Sequence, residues 1–188
     1  VAVSGKHLPG AAAPLSVTLS QGHALSYQGQ VSLAADATAV PPVKAYAPTP
    51  QLPMSLKDFY GGFTFHGPRL QGITAIEAVG DDGVVGLVRG CRPVDWIKDP
   101  KRTEWTVDPL IVDASFQLAG YWAWVKHQRA GFPVGLGRLV SLRPFGLGPV
   151  RCTVTFETAA EDLFTGTLVW QDLQGQVLAY MTGVQAEF

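Results

Sequence analysis

The segment Asp108-Pro-Leu-Ile-Val-Asp-Ala-Ser-Phe-Gln-Leu-Ala-Gly-Tyr-Trp-Ala-Trp-Val125 limits the folds open to this chain more than any other. Asp108 has an N-cap side chain, and Pro109 stands at the first helical position, where a missing N–H leaves nothing unsatisfied. From Leu110 to Val125 apolar side chains fall on every face, so the sequence predicts a helix over Pro109–Gln128 that is buried all round. Lys126, His127 and Arg129 suit its C-terminal end, and Gly131 with Pro133 behind it reads as the stop. One ionisable residue breaks the pattern: Asp113, with Gln117 four positions later on the same face. A carboxylate buried mid-helix costs on the order of several kcal/mol unless it is paired or protonated. That cost makes the pair the first candidate for chemistry.

A helix without an exposed face needs a wrapping layer, and the flanking sequence supplies strands. Ile73–Val79 and Val84–Gly90 flank the hairpin turn Asp81-Asp-Gly83. After the helix, Leu136–Arg143, Val150–Glu157, Leu163–Gln171 and Gln176–Gln185 alternate apolar with polar residues, and turns at Phe145–Pro149 and Asp172–Gly175 separate them. Ser55-Leu-Lys-Asp58 caps a short helix running to Tyr60, and Arg92–Glu104 reads as a surface loop held by Trp96 and Trp105. Upstream, Leu15–Ser20 and Ala24–Ala34 form a strand pair around Gln21-Gly-His23, and five prolines between Ala37 and Pro53 mark an extended linker. The expected organisation is therefore a strand pair in residues 1–36, a linker in 37–54 and the main domain in 55–188. One apolar helix wrapped by a curved antiparallel sheet is an α+β architecture, the hot dog fold.

Composition narrows the partners. A net charge of −1 and a pI near 6.5 give no basic face for nucleic acid. The longest apolar run is the helix itself, too short and too polar to span a membrane, and no basic-then-apolar leader opens the chain. Cys91 and Cys152 form no Cys-x-x-Cys pair, and the four histidines lack metal-ligand spacing, so no metal is expected. The glycines between Gly131 and Gly148 form no phosphate-binding pattern. The cysteine usage suits a reducing, cytoplasmic setting. Without an initiator Met, the chain reads as a piece of a longer polypeptide.

His66-Gly-Pro-Arg-Leu-Gln71, followed by Asp108-Pro-Leu-Ile-Val-Asp113-Ala-Ser-Phe-Gln117, resembles the second half of a polyketide synthase dehydratase domain, a double hot dog. That half carries a Tyr-Gly-Pro-x-Phe-Gln stretch and then a His-Pro-x-x-x-Asp-Ala-x-x-Gln helix. Here His66 replaces the tyrosine, Leu70 the phenylalanine and Asp108 the histidine before the proline. Phe132-Pro133 also resembles the family pattern, and the similarity covers about Leu56–Phe188. Dehydratase-like parts of polyunsaturated fatty acid synthases and fungal product-template domains are related.

The resemblance implies elimination of water from a 3-hydroxyacyl thioester carried on the phosphopantetheine of an acyl carrier protein, with no separate cofactor. Asp113 would be the catalytic acid, Gln117 its orienting neighbour, and His66 a substrate contact or base. Burial would raise the Asp113 pKa and keep it protonated. Gly67 and Pro68 would shape the substrate turn, with a Gly N–H as oxyanion donor. Other synthase domains and a second hot dog, from the missing half or another copy, would be partners. The family's histidine lies in a His-x-x-x-Gly-x-x-x-x-Pro motif that this chain lacks; His7, before Gly10 and Pro14, has the letters at the wrong spacing. His23 reads as a hairpin residue and His127 as a solvated or C-capping one. A non-catalytic scaffold or acyl-binding module and, more weakly, a hot dog thioesterase are the alternatives.

Overall fold

The computed structural model describes residues 2–7, 14–21, 23–32, 39–159 and 163–187. They divide into two units, Val1–Ala39 and Val40–Phe188. In the first, β1 (Ala2–His7), β2 (Leu15–Gln21) and β3 (Ala24–Val31) form an antiparallel sheet in that order. The expected strand pair is present, with Gln21 opposite Ala24 as in a tight hairpin, but β1 adds a third strand that the sequence did not suggest. Gly22 and the expected strand end at Leu33–Ala34 lie outside the described residues.

The second unit is one curved antiparallel sheet around one long helix, the expected α+β layering. Its strands are β4 (Ile73–Gly80), β5 (Gly83–Val88), β6 (Phe132–Gly135), β7 (Arg138–Ser141), β8 (Val150–Ala159), β9 (Leu163–Gln171) and β10 (Val177–Glu187). The order is β4-β5-β8-β9-β10-β6, and β7 also pairs with β10. Of the post-helix segment expected as a strand over 136–143, β7 covers 138–141; β6 is a further short strand just before it, and both pair with β10. Turn chemistry sets the hairpins. Asp172 Oδ1 accepts from Gln174 N (2.9 Å) and Gln176 N (2.8 Å), and Gly175 takes the φ of +85° that closes the β9–β10 turn.

The short helices are α1 (Leu56–Asp58), α2 (Pro93–Trp96) and, much longer, α3 (Pro109–His127). Asp108 caps α3 as expected: Oδ1 accepts from Leu110 N (2.8 Å) and Ile111 N (3.2 Å), while Oδ2 accepts from Cys91 N (2.8 Å). The helix stops at Gln128, in the left-handed region at φ +56°, three residues before the expected glycine stop. Ile111, Ala114, Leu118, Tyr121 and Trp122 pack into the sheet with Val84, Val88, Val154, Leu168 and Trp170. The expectation of burial on every face does not hold. The sheet covers one side, and Val112, Asp113, Phe116, Ala119 and Gly120 remain only partly covered within this unit.

The proline-rich stretch is extended, as its fixed φ angles require, yet its residues from Val40 onward belong to the second unit. Thr49 N donates to Glu77 O (3.0 Å), Val79 N donates to Thr49 Oγ1 (2.8 Å), and Lys44 pairs with Asp82. Farther on, Tyr121 donates to Met54 O (2.7 Å). The stretch expected as an extended linker is therefore strapped along β4 over these residues. Arg92–Glu104 also departs from the expected loop, because Pro93 nucleates α2.

The double duty of Asp108 generates a stability expectation. Asp108→Ala removes a cap and leaves the Cys91 amide without its acceptor, for a loss of about 2–4 kcal/mol. Urea unfolding would show a lower midpoint at unchanged slope. An unchanged midpoint would mean that the cap does not hold this helix end.

Candidate active site

The site forms where three segments meet the N-terminal half of α3. The first is the approach to β4. A Cβ on Gly72 would lie 2.5 Å from the Ala114 Cβ, so this backbone lies directly on the helix and carries Leu70 within reach of Gln117. Gln117 Nε2 donates to Leu70 O (2.8 Å) and to Asp113 Oδ2 (2.7 Å).

The second segment follows α1. Ser55 caps α1 as expected, accepting from Asp58 N (3.1 Å), but the helix then widens into a single π turn, Phe59–Phe63, closed by Thr64 N to Phe59 O (3.1 Å). Such widened turns often mark functional positions. Buried Phe59 packs edge-on against Tyr121, with ring centroids 5.4 Å apart, and this anchors the turn. Tyr60 is thereby aimed at the helix. Its hydroxyl donates to Gln117 Oε1 (2.7 Å) and accepts from Ile73 N (2.9 Å). Burial pushes the Tyr60 phenol up to about 12.

The third segment carries His66. Its Nδ1 lies 2.6 Å from Thr64 Oγ1, which also accepts from the His66 backbone N–H (3.0 Å). Phe65 stacks on the imidazole at 4.5 Å and is itself 80% exposed. The other ring nitrogen, Nε2, faces Asp113 Oδ2 at 3.6 Å. His66, Asp113 and Gln117, separate in sequence, thus form one cluster, and Tyr60 and Thr64 complete it.

Asp113 departs from the sequence expectation in one respect. Its side chain is 39% exposed, against 14% for His66, so the deep burial invoked to keep its proton is absent. Asp113 projects from the uncovered side of α3, and what surrounds it is a hydrogen-bond network rather than apolar packing. Gln117 is the buried member, at 4% exposure.

Gly67 and Pro68 are exposed beside His66 in a tight turn, where Gly67 O accepts from Leu70 N (2.8 Å) and Pro68 O from Arg89 Nη2 (3.3 Å). Nothing lies within 4 Å of where a Gly67 Cβ would stand. Asp108 serves as a cap, as expected. His127 is exposed with its ring edge-on to Trp122 at 5.0 Å, and His23 lies exposed beside β3. The His7 side chain lies outside the described residues. Among the described residues, no three His, Cys, Asp or Glu side chains cluster as a metal set, and no helix is long and apolar enough to cross a membrane. Cys91 and Cys152 are both free; burial pushes the Cys152 thiol up to about 12.

Tyr60 and Thr64 were missed by sequence reasoning. Tyr60 stood as the last residue of a short helix, and nothing in an α-helical pattern turns it inward. The signal was Gly61-Gly62 after it, which lets the turn widen. Thr64 shows only as a hydroxyl two residues before a histidine, a spacing that supports a side-chain-to-backbone bond.

Comparison with known proteins places this geometry in a family. The model of the polyketide synthase dehydratase N-terminal domain matches residues 38–187. The motif reading assigned the helix to the second half of such a domain; the family is common to both. A comparison with curated proteins gave no match. Among solved structures, the dehydratase domain of a mycocerosic acid synthase-like polyketide synthase is similar at 20% identity and a TM-score of 0.69, covering 99% of this chain and 66% of that one. The dehydratase domain of RzxB from Pseudomonas fluorescens gives 14% identity and 0.69, over 98% and 66%. The dehydratase domain from the CurK module of curacin polyketide synthase gives 17% and 0.67, over 99% and 67%. At these identities the solved structures establish the hot dog fold.

The raised Tyr60 phenol generates a pH expectation. The fold favours the neutral form, so its contribution to stability is complete below the ordinary value of 10.0 and is lost as pH rises toward about 12. Tyr46 and Tyr121 are raised by burial as well and share this loss. Chemical denaturation across that range should show a shallower decline for Tyr60→Phe than for wild type. Equal slopes would contradict the buried, neutral assignment.

Proposed function

The chain belongs to the polyketide synthase dehydratase family, and on that footing we propose that it takes part in eliminating water from a 3-hydroxyacyl thioester, with Asp113 as acid and His66 as base. The observation that carries this reading is the 3.6 Å approach of His66 Nε2 to Asp113 Oδ2. The sequence reading found an acid without a base; the approach of His66 supports a base within this same chain.

One proton on the Asp113–His66 pair suffices for the step. With that proton on Asp113 and the imidazole neutral, His66 Nε2 takes the α proton of the thioester. The C–H electron pair becomes the new C=C bond, the β C–O bond breaks, and Asp113 gives its proton to the departing oxygen, which leaves as water. The pair ends as imidazolium and carboxylate, and one proton passes back through solvent. The 39% exposure of Asp113 suits that return. Thr64 fixes the imidazole plane through Nδ1, so Nε2 presents to the site. The backbone N–H of Gly67, an exposed residue, with Pro68 shaping the turn, is the candidate donor to the thioester carbonyl, where negative charge gathers as the α proton leaves.

No cofactor is needed for this chemistry beyond the carrier. The substrate would arrive on the phosphopantetheine of an acyl carrier protein, within an assembly of synthase domains. The chain spans 66% of the length of the first two solved domains described above, which leaves room for a further hot dog portion or a second copy to cover the open side of α3. Two free cysteines fit a reducing, cytoplasmic setting.

The test is incubation with a 3-hydroxyacyl thioester on a carrier protein, with the enoyl product read by mass spectrometry. Wild type should convert it, and Asp113→Asn and His66→Gln should each lose about 100-fold or more. Conversion unchanged in both variants, or none by wild type even in its full synthase, would leave the scaffold reading in its place. Release of free acid would point to a thioesterase.

A further inference from the structure

The hydrogen bonds behind Asp113 have a direction that no side-chain rotation can reverse, because both ends are backbone groups. Ile73 N–H can only donate, so Tyr60 accepts there (2.9 Å) and must give its own proton to Gln117 Oε1 (2.7 Å). At the other end Leu70 C=O can only accept (2.8 Å), so the Gln117 group facing it is the NH2. The second N–H of that NH2 then points at Asp113 Oδ2 (2.7 Å). The amide orientation follows from these fixed ends, not from a choice between oxygen and nitrogen.

We propose that Tyr60 is a positioning residue that acts through Gln117 to reserve Asp113 Oδ2 as a permanent hydrogen-bond acceptor, leaving Oδ1 as the oxygen that carries the transferable proton. Oδ2 is also the oxygen that faces His66 Nε2. The proton therefore sits on the carboxylate oxygen away from the base, and the β-hydroxyl must approach Oδ1. During elimination the Oδ1–H bond breaks as the proton joins the departing hydroxyl, while Oδ2 keeps its bond from Gln117 throughout. The two oxygens of one carboxyl thus hold separate duties, one structural and one reactive. The catalytic part of this inference rests on the dehydratase reading; the direction of the hydrogen bonds does not.

Tyr60→Phe keeps the ring and deletes the hydroxyl. Gln117 Oε1 then loses its donor in a buried place, the amide loses its fixed orientation, and kcat should fall about tenfold with KM held within about twofold. A residue that acts only through Gln117 adds nothing once Gln117 is gone. The Tyr60→Phe/Gln117→Met double variant should therefore match Gln117→Met alone, whereas independent effects would multiply. A turnover-free readout separates the two claims. In wild type both Gln117 side-chain N–H resonances should exchange slowly with solvent, and in Tyr60→Phe they should exchange at least about tenfold faster. Altered exchange with no dehydration in either protein overturns the functional reading and leaves the relay standing. Unaltered exchange, or multiplicative losses in the double variant, overturns the relay. Circular dichroism and thermal unfolding of each variant establish that it folds before either measurement is read.

Discussion

A side-chain amide buried on an apolar helix must find a partner for each polar atom, and this requirement organises the centre of the molecule. Gln117 meets it with three bonds, to Tyr60, Leu70 and Asp113. Each pulls a different part of the chain onto α3: the π turn, the approach to β4, and the helix's own preceding turn. Leaving any one of these groups unpaired would cost about 1–3 kcal/mol. The route of residues 59–73 over the helix is therefore fixed by polar satisfaction as much as by apolar packing. His66 lies within that route, and its place beside Asp113 follows.

The apolar pattern made the fold legible. Leu110–Val125 announced a helix in need of a sheet, the alternating segments announced the sheet, and Asp108-Pro109 marked the helix start to the residue. The helix end was less legible. Gly131 had the expected chemistry, but Gln128 adopted the left-handed cap instead, since a hydrogen bond from its own side chain to Trp124 O (2.8 Å) helps to close the last turn. The proline-rich stretch was read as an extended linker; it is extended, and from Val40 onward it is held against the second unit. Composition sets the backbone conformation of such a segment, whereas Thr49 and Lys44, through Glu77, Val79 and Asp82, decide what it lies against.

The candidate site was legible in its residues and not in its assembly. Asp113 and Gln117 stood out because polar groups are costly on an apolar helix. His66 stood out because it sits beside Gly67-Pro68. Nothing in the spacing of 66 and 113 states a distance of 3.6 Å, because the path of the 46 residues between them is a tertiary property. The assumption of uniform burial failed for a related reason. An apolar surface on a helix demands cover, but the demand does not say whether this unit or another portion supplies it. Here one side of α3 is left partly open, and the carboxyl projects from that side.

The division of labour between His66 and Asp113 is the centre of this account, and proton exchange at the α carbon separates the two roles most directly. A saturated acyl thioester lacking the β-hydroxyl, incubated in D2O, should gain deuterium at the α carbon with wild type. Asp113→Asn should retain that exchange to within about a few-fold, since no leaving group needs its acid, and His66→Gln should lose it by about 100-fold. Exchange that survives His66→Gln and disappears with Asp113→Asn would contradict the assignment and make the carboxylate the base.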